Sequence, residues 1–294
     1  MISIDGVLIA SVVLLGVVAL HQHRILRRLQ KTAGDLSRVT ELGTRTALAV
    51  GRALAVERAD SMLGGEARPG GLPTEPRGAE AEDVVLSLLF AGQPTGFYIE
   101  VGALDGVRYS VSYYFEAIGW TGLLIEAMPG PARACEMNRP NSRVVHAALS
   151  RRGSSGTASF TVLSRDGVER ADSYLPGVGR RERRRKAGDR GAETARVPLR
   201  TMDDVLEGHE GSIDFAVIDV EGAEADVLDG FDLETRRPRV LIVEDLQMQG
   251  LSDVARSITS RGYAHVARLG RNRLFVSERE PDLIRRARVL LSHT

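Results

Sequence analysis

Phe97-Tyr98-Ile99-Glu100-Val101-Gly102-Ala103-Leu104-Asp105-Gly106 decides the fold. An apolar run that reads as a buried strand enters a glycine turn carrying two carboxylates. In a strand, glycine turn and helix unit, backbone N–H groups approach a nucleotide-like ligand closely. Laid over the G-x-G-x-x-G fingerprint, Glu100 falls on the first glycine and Asp105 on the third. A pyrophosphate would be repelled there, whereas a ligand with cationic groups would be attracted.

Outward from this turn, strands and helices alternate as in a parallel α/β sheet. Strands are expected at Phe97–Val101, Gly122–Glu126, Arg143–Ala147, Phe215–Asp219 and Val240–Glu244, after a first helix near Glu80 to Phe90. Val111, Tyr114, Phe115 and Ile118 recur at helical spacing, as do residues between Ala225 and Gly230, and Ser252 to Arg261 forms another helix. Tyr263–Arg268 and Asn272–Val276 read as an antiparallel hairpin, followed by a basic amphipathic helix from Pro281 to Leu291. Between the third strand and Phe215 the alternation fails. Thr157–Val162 and Arg196–Pro198 read as extra strands, and Thr201-Met202-Asp203-Asp204 as a capping-box start. Ser164 to Thr194, with the basic run Arg180 to Lys186, has no clear period. Its length suits a functional lid, and the run suits a solvated loop or a clamp for anionic groups.

The amino-terminal part differs in kind. Ile2 to Leu20 is apolar apart from Ser3, Asp5 and Ser11, and Arg24, Arg27, Arg28 and Lys31 follow. At about 1.5 Å per residue such a helix reaches roughly 28 Å, close to the ~30 Å hydrocarbon layer. With the positive charges after the apolar run, the expected organisation is a single-pass cell-membrane anchor over 1–23 with the catalytic bulk in the cytoplasm. A buried helix of the globular domain is the other reading. Residues 24–62 read as a helical stalk, with Leu29, Leu36 and Val50 on a seven-residue spacing that would support a homodimer. Gly- and Pro-rich residues 63–78 form a linker, and the folded domain is expected over 79–294. The 39 basic and 39 acidic residues of the 294-residue chain cancel, so no global field recruits nucleic acid. The lone Cys135 allows no internal disulfide.

In an open α/β sheet, ligands bind beyond the carboxyl ends of the strands, and those ends are acidic here: Glu100 and Asp105, Glu126, Asp219 and Glu221, Glu244 and Asp245. S-adenosylmethionine (SAM), with an ammonium and a sulfonium, suits the first turn. Glu126 lies about 20 residues after that turn, the position from which a carboxylate accepts both ribose hydroxyls of an adenosine. Ala147 and Ala148 are small enough for an adenine ring to lie against the backbone. Asp219, Glu221 and Glu244 have oxygen ligands that suit a hard cation. No Asp-Asn pair or His cluster accompanies them, and no metal is expected.

Glu100-Val101-Gly102-Ala103-Leu104-Asp105-Gly106, Gly119 to Glu126, His146-Ala147-Ala148-Leu149-Ser150 and Ile218-Asp219-Val220-Glu221-Gly222-Ala223-Glu224 together resemble the FkbM family of SAM-dependent methyltransferases. The resemblance implies a class I methyltransferase-like, Rossmann-type fold. Such a fold has a mostly parallel seven-stranded sheet, helices on both faces and an antiparallel last strand. It also implies O-methylation of a hydroxyl on a sugar-containing acceptor, a glycan, glycolipid or related metabolite. By carry-over, Glu100, Gly102, Ala103, Asp105 and Gly106 would hold the methionine moiety, Glu126 the ribose, and Asp219 to Glu224 the floor of the reaction site. Asp219 is the first candidate for taking the acceptor proton, with Glu221 and His146 behind it. The chain departs from the family's frequent Asp-x-Gly-Ala-Asn opening at Glu100 and Leu104, and the missing Asn amide alters donor contacts. A nicotinamide-dependent oxidoreductase and a non-catalytic membrane scaffold with a degenerate methyltransferase fold are the competing readings.

Overall fold

A computed structural model describes Pro73 and residues 76–165, 168–176, 192–247 and 249–291. The expected anchor, the stalk, most of the linker and the Arg180 to Lys186 run lie outside these residues. Among the described residues no helix is long and apolar enough to cross a membrane.

The chain forms α1 (Glu82–Leu89), β1 (Phe97–Val101), α2 (Tyr113–Ala117), β2 (Thr121–Glu126), α3 (Pro129–Asn138), β3 (Ser142–His146), β4 (Ala148–Leu149), β5 (Thr157–Arg165) and β6 (Val168–Glu169). It continues through β7 (Ala192–Arg200), α4 (Met202–Val205), β8 (Phe215–Ile218), α5 (Glu224–Asp229), β9 (Val240–Glu244), α6 (Asp253–Thr259), β10 (Tyr263–Leu269), β11 (Asn272–Ser277) and α7 (Pro281–Leu291). Seven strands make the main sheet in the order β3-β2-β1-β8-β9-β11-β10. The pairs from β3 to β9 are parallel, and β11 is antiparallel to both neighbours. This is the class I methyltransferase-like sheet. Strand order reverses between β1 and β8, so the crevice beyond their carboxyl ends is the topological switch point.

Each central strand is buried on both faces, which is why its sequence is a nearly continuous apolar run. On one face Tyr98, Val217 and Ile242 pack against α1, α2 and α7. On the other, Ile99, Ala216 and Leu241 pack against α4, α5 and α6. Gly122 is fitted to its place in β2: it is paired with Tyr98, whose ring occupies the space a Cβ would need. The ring therefore crosses the sheet, and its hydroxyl reaches Ser142 at the start of β3 (2.6 Å).

Most expected strands and helices stand within a residue or two of their predicted bounds. Helix α3 was not anticipated, because no apolar period marks it. Its local cue is Pro129 and Pro131 in the first turn, where a missing N–H costs nothing. The two extra strands, β5 and β7, are also longer than expected, and β4 and β6 join them in a separate four-stranded sheet of order β4-β7-β5-β6. The capping box forms as expected: Asp204 N–H donates to Thr201 Oγ1 and Thr201 N–H to the Asp204 carboxylate, 3.1 Å each.

Candidate active site

At the switch point the chain makes unusually close backbone contacts. Gly102 has φ +82°, and a Cβ there would collide with the carbonyl oxygen of Asp219. The N–H groups of Gly102 and Ala103 both donate to the carbonyl of Ile125, at 2.9 and 3.2 Å, which ties the first turn to β2. Leu104 follows in the left-handed region at φ +52°, costly for a γ-branched residue. Glu221 (φ +60°) and Gly222 (φ +110°) repeat that geometry in the loop after β8. Non-glycine residues in such conformations cluster at functional sites.

A cavity opens between these turns, with about 580 Å³ of empty space when its mouth is included. Of the candidate residues, Gly102, Glu126, Ala147, Ala148, Asp219 and Glu221 line it. Glu126 is buried, with one carboxylate oxygen accepting from Leu104 N–H and the other from Met128 N–H, both at 2.8 Å. Burial pushes its pKa up to about 7, with a further rise from nearby Glu169. A carboxylate has about four acceptor directions, so acceptor capacity remains for a hydroxyl donor.

The remaining candidates face elsewhere. Glu100 is buried and accepts from Ser110 Oγ (2.8 Å), Val111 N–H (2.8 Å) and Ser112 Oγ (2.5 Å), bracing the loop before α2. Asp105 accepts from the N–H groups of Val107 (3.0 Å) and Arg108 (2.8 Å) and from Arg108 Nε (2.5 Å). Burial raises its pKa, but these bonds outweigh it and hold the carboxyl below its ordinary value. Ala103 is buried in the core beside α2. Gly106 packs on Arg139 and Cys135. The Nε2 of His146 lies 3.0 Å from the carbonyl oxygen of Ala127.

Two roles are not assigned by the sequence, which places Glu224 only within the floor of the reaction site. One is that of Glu224, whose carboxylate accepts from the N–H groups of Val220 (3.2 Å) and Gly222 (3.0 Å), fixing the Asp219 loop from within. Burial, with repulsion from Asp219, lifts it to about 6. Asp219, Glu224 and Glu244 bring carboxylate oxygens within 4.8 Å of one another. Arg271 supplies a counter-charge, 3.1 Å from Glu244. The motif spacing held this signal, since Asp219 and Glu224 bracket one turn. The other belongs to a buried network beneath the first turn, centred on Arg139. This side chain donates to Glu116 (2.8 Å), the Gly106 carbonyl (2.9 Å), Ser110 Oγ (3.0 Å), Ser112 Oγ (3.0 Å) and Tyr98 Oη (2.8 Å). Nothing local in the sequence distinguishes Arg139 from a solvated arginine.

The arrangement offers a glycine-lined approach, a buried carboxylate for hydroxyls, a slot of small apolar residues and a neighbouring acidic floor. Comparison with known proteins gives this chemistry a family. Among curated proteins none matches the chain. Similar solved structures include the METTL16 methyltransferase domain (14% identity, 77% of this chain and 79% of that one, TM-score 0.40). A TehB-like SAM-dependent methyltransferase from Corynebacterium glutamicum (11%, 79% and 99%, TM-score 0.35) and human methyltransferase 10 domain containing protein (14%, 77% and 94%, TM-score 0.39) are further examples. All three are too distant to bear on the assignment. The model of the methyltransferase FkbM domain, however, matches residues 100–264, more than half of the chain and every residue that lines the cavity. The chain therefore belongs to the FkbM family and is a SAM-dependent methyltransferase.

Proposed function

We propose that this protein transfers the methyl group of SAM to a hydroxyl of a sugar-containing acceptor. The single observation behind this reading is the convergence of Gly102, Glu126 and Asp219 on one cavity at the switch point. The residues fit the donor. Gly102 leaves the first turn free of a side chain, Glu126 keeps acceptor capacity for ribose hydroxyls, and Ala147 and Ala148 leave room for a flat base. SAM, when bound, supplies an electrophilic methyl group and a neutral thioether leaving group.

The chain's own part is to align an acceptor oxygen with that methyl and to receive the hydroxyl proton. Asp219, which lines the cavity, is the residue assigned to accept it, with Glu224 holding the loop and Glu221 beside it. A hydroxyl acceptor suits this acidic floor because it is a hydrogen-bond donor without negative charge. The apolar run Ile2 to Leu20 extends the proposal to a protein held at the cytoplasmic face of a membrane, where a glycolipid acceptor is within reach.

Isothermal titration of the full chain, purified in detergent, tests the donor. Micromolar binding of S-adenosylhomocysteine with none of NAD is expected. A folded protein that binds neither SAM nor its product overturns the reading, and binding of NAD alone favours a nicotinamide enzyme. A reporter fused after Thr294 should be active in the cytoplasm; activity on the opposite side would reverse the orientation.

A further inference from the structure

Between β4 and β7 the chain leaves the main sheet and builds the second one, and part of this insertion reaches back into the donor cavity. Phe160 on β5 and Ala171, Ser173 and Leu175 beyond β6 line the same space as Glu126 and Ala148. The segment from Arg170 to Leu175 is strapped to β5 by built contacts. Thr161 and Tyr174 exchange backbone bonds of 2.8 and 3.0 Å, Arg170 N–H donates to the Leu163 carbonyl (2.8 Å), and Leu163 N–H donates to Ser173 Oγ (3.0 Å).

The strap is docked on residues that follow β1, β2 and β3. Leu104, Met128 and Ala148 share one buried apolar cluster with Phe160, Val162 and Leu175. Glu169 on β6 abuts the start of α3, where its carboxylate occupies the space a Cβ on Gly130 would need. Leu104 belongs to this arrangement. Its side chain enters the shared cluster, so the position where the family often has Asn is here committed to apolar packing. Ala147 and Ala148 carry no polar side chain, so what their side chains contribute to base discrimination is shape and apolar contact.

We propose that the second sheet forms the wall of the adenine subsite, with Phe160, Ala171 and Leu175 as its contact residues, and thereby sets donor base recognition. This rests on the SAM reading above. The wall stands at the β2 and β3 side of the crevice, beside Glu126, whereas Asp219 and Glu224 lie at the β8 side, so its natural occupant is the adenosine half of the donor.

Titration of the full-length protein with S-adenosylhomocysteine and with adenosine tests this. Ala171 is exposed at the cavity mouth, so Ala171→Trp fills the slot without disturbing the core. It should weaken both ligands at least tenfold, with Phe160→Ala weakening both by a similar factor and the far-ultraviolet spectrum of each variant unchanged. Wild-type binding retained at full strength by folded Ala171→Trp overturns the proposal while leaving the donor reading intact. So does weakened S-adenosylhomocysteine with unaltered adenosine, which would put the strap at the methionine end. A folded wild type that binds neither ligand overturns both.

Discussion

At the scale of single residues, Gly102 and Glu126 carry the sharpest expectations. A methyl group at Gly102 meets two penalties, a left-handed backbone and a fixed backbone oxygen of Asp219 that cannot rotate away. Gly102→Ala should cost about 3 kcal/mol. That lowers the melting temperature by roughly 6–12 °C, measurable by calorimetry. Glu126 has a pKa of about 7 in the folded protein, raised by burial. Ribose hydroxyls donate to the ionised carboxylate and so favour it; binding therefore releases a proton when the pH lies below that value. Affinity for S-adenosylhomocysteine should tighten from pH 6 to 8, by at most about tenfold per unit. Glu126→Gln should bind more weakly and lose this dependence.

Among the elements, α3 shows where sequence patterns stop being informative. The strands were legible because each is an apolar run ending at a polar residue or a turn, and the motif residues after β1, β2 and β8 lie at the strand ends by topology alone. Helix α3 buries Pro131, Ala132 and Cys135, too little surface to leave an amphipathic signal. Its value to the fold comes from Arg139 immediately beyond it, whose partners are 23 to 41 residues earlier in the chain. The roles of Glu100 and Asp105 were hidden for the same reason: a carboxylate at a turn looks alike whether it faces a ligand or a neighbouring loop. Glu116 and Arg139 are both buried, so Arg139→Met leaves a carboxylate without its counter-charge and should destabilise by about 3–5 kcal/mol in urea titration. Adding Glu116→Leu should recover part of that loss, since the pair together can be replaced by apolar groups.

For the molecule as a whole, the buried acids predict an uncommon dependence on pH. Glu82 and Glu126 rise to about 7 and Glu224 to about 6, chiefly by burial, so between their unfolded values near 4.5 and these folded values the native state holds protons that the unfolded state has released. Stability is then greatest near the unfolded values and falls as pH rises toward 7. Carboxyls held low, such as Asp105, Glu116 and Asp245, lose their stabilising effect only in stronger acid. Urea midpoints should be higher at pH 5 than at pH 8; the reverse order would show that Glu82, Glu126 and Glu224 do not control the balance. The only thiol of the chain reports on another global property. Cys135 is buried with its Sγ 3.0 Å from the Leu104 carbonyl, so a thiol reagent can reach it only when the first turn lifts away from α3. Its labelling rate is thus a clock for how often the donor turn opens, and a ligand that holds the turn shut should slow that clock without any spectroscopic tag being introduced.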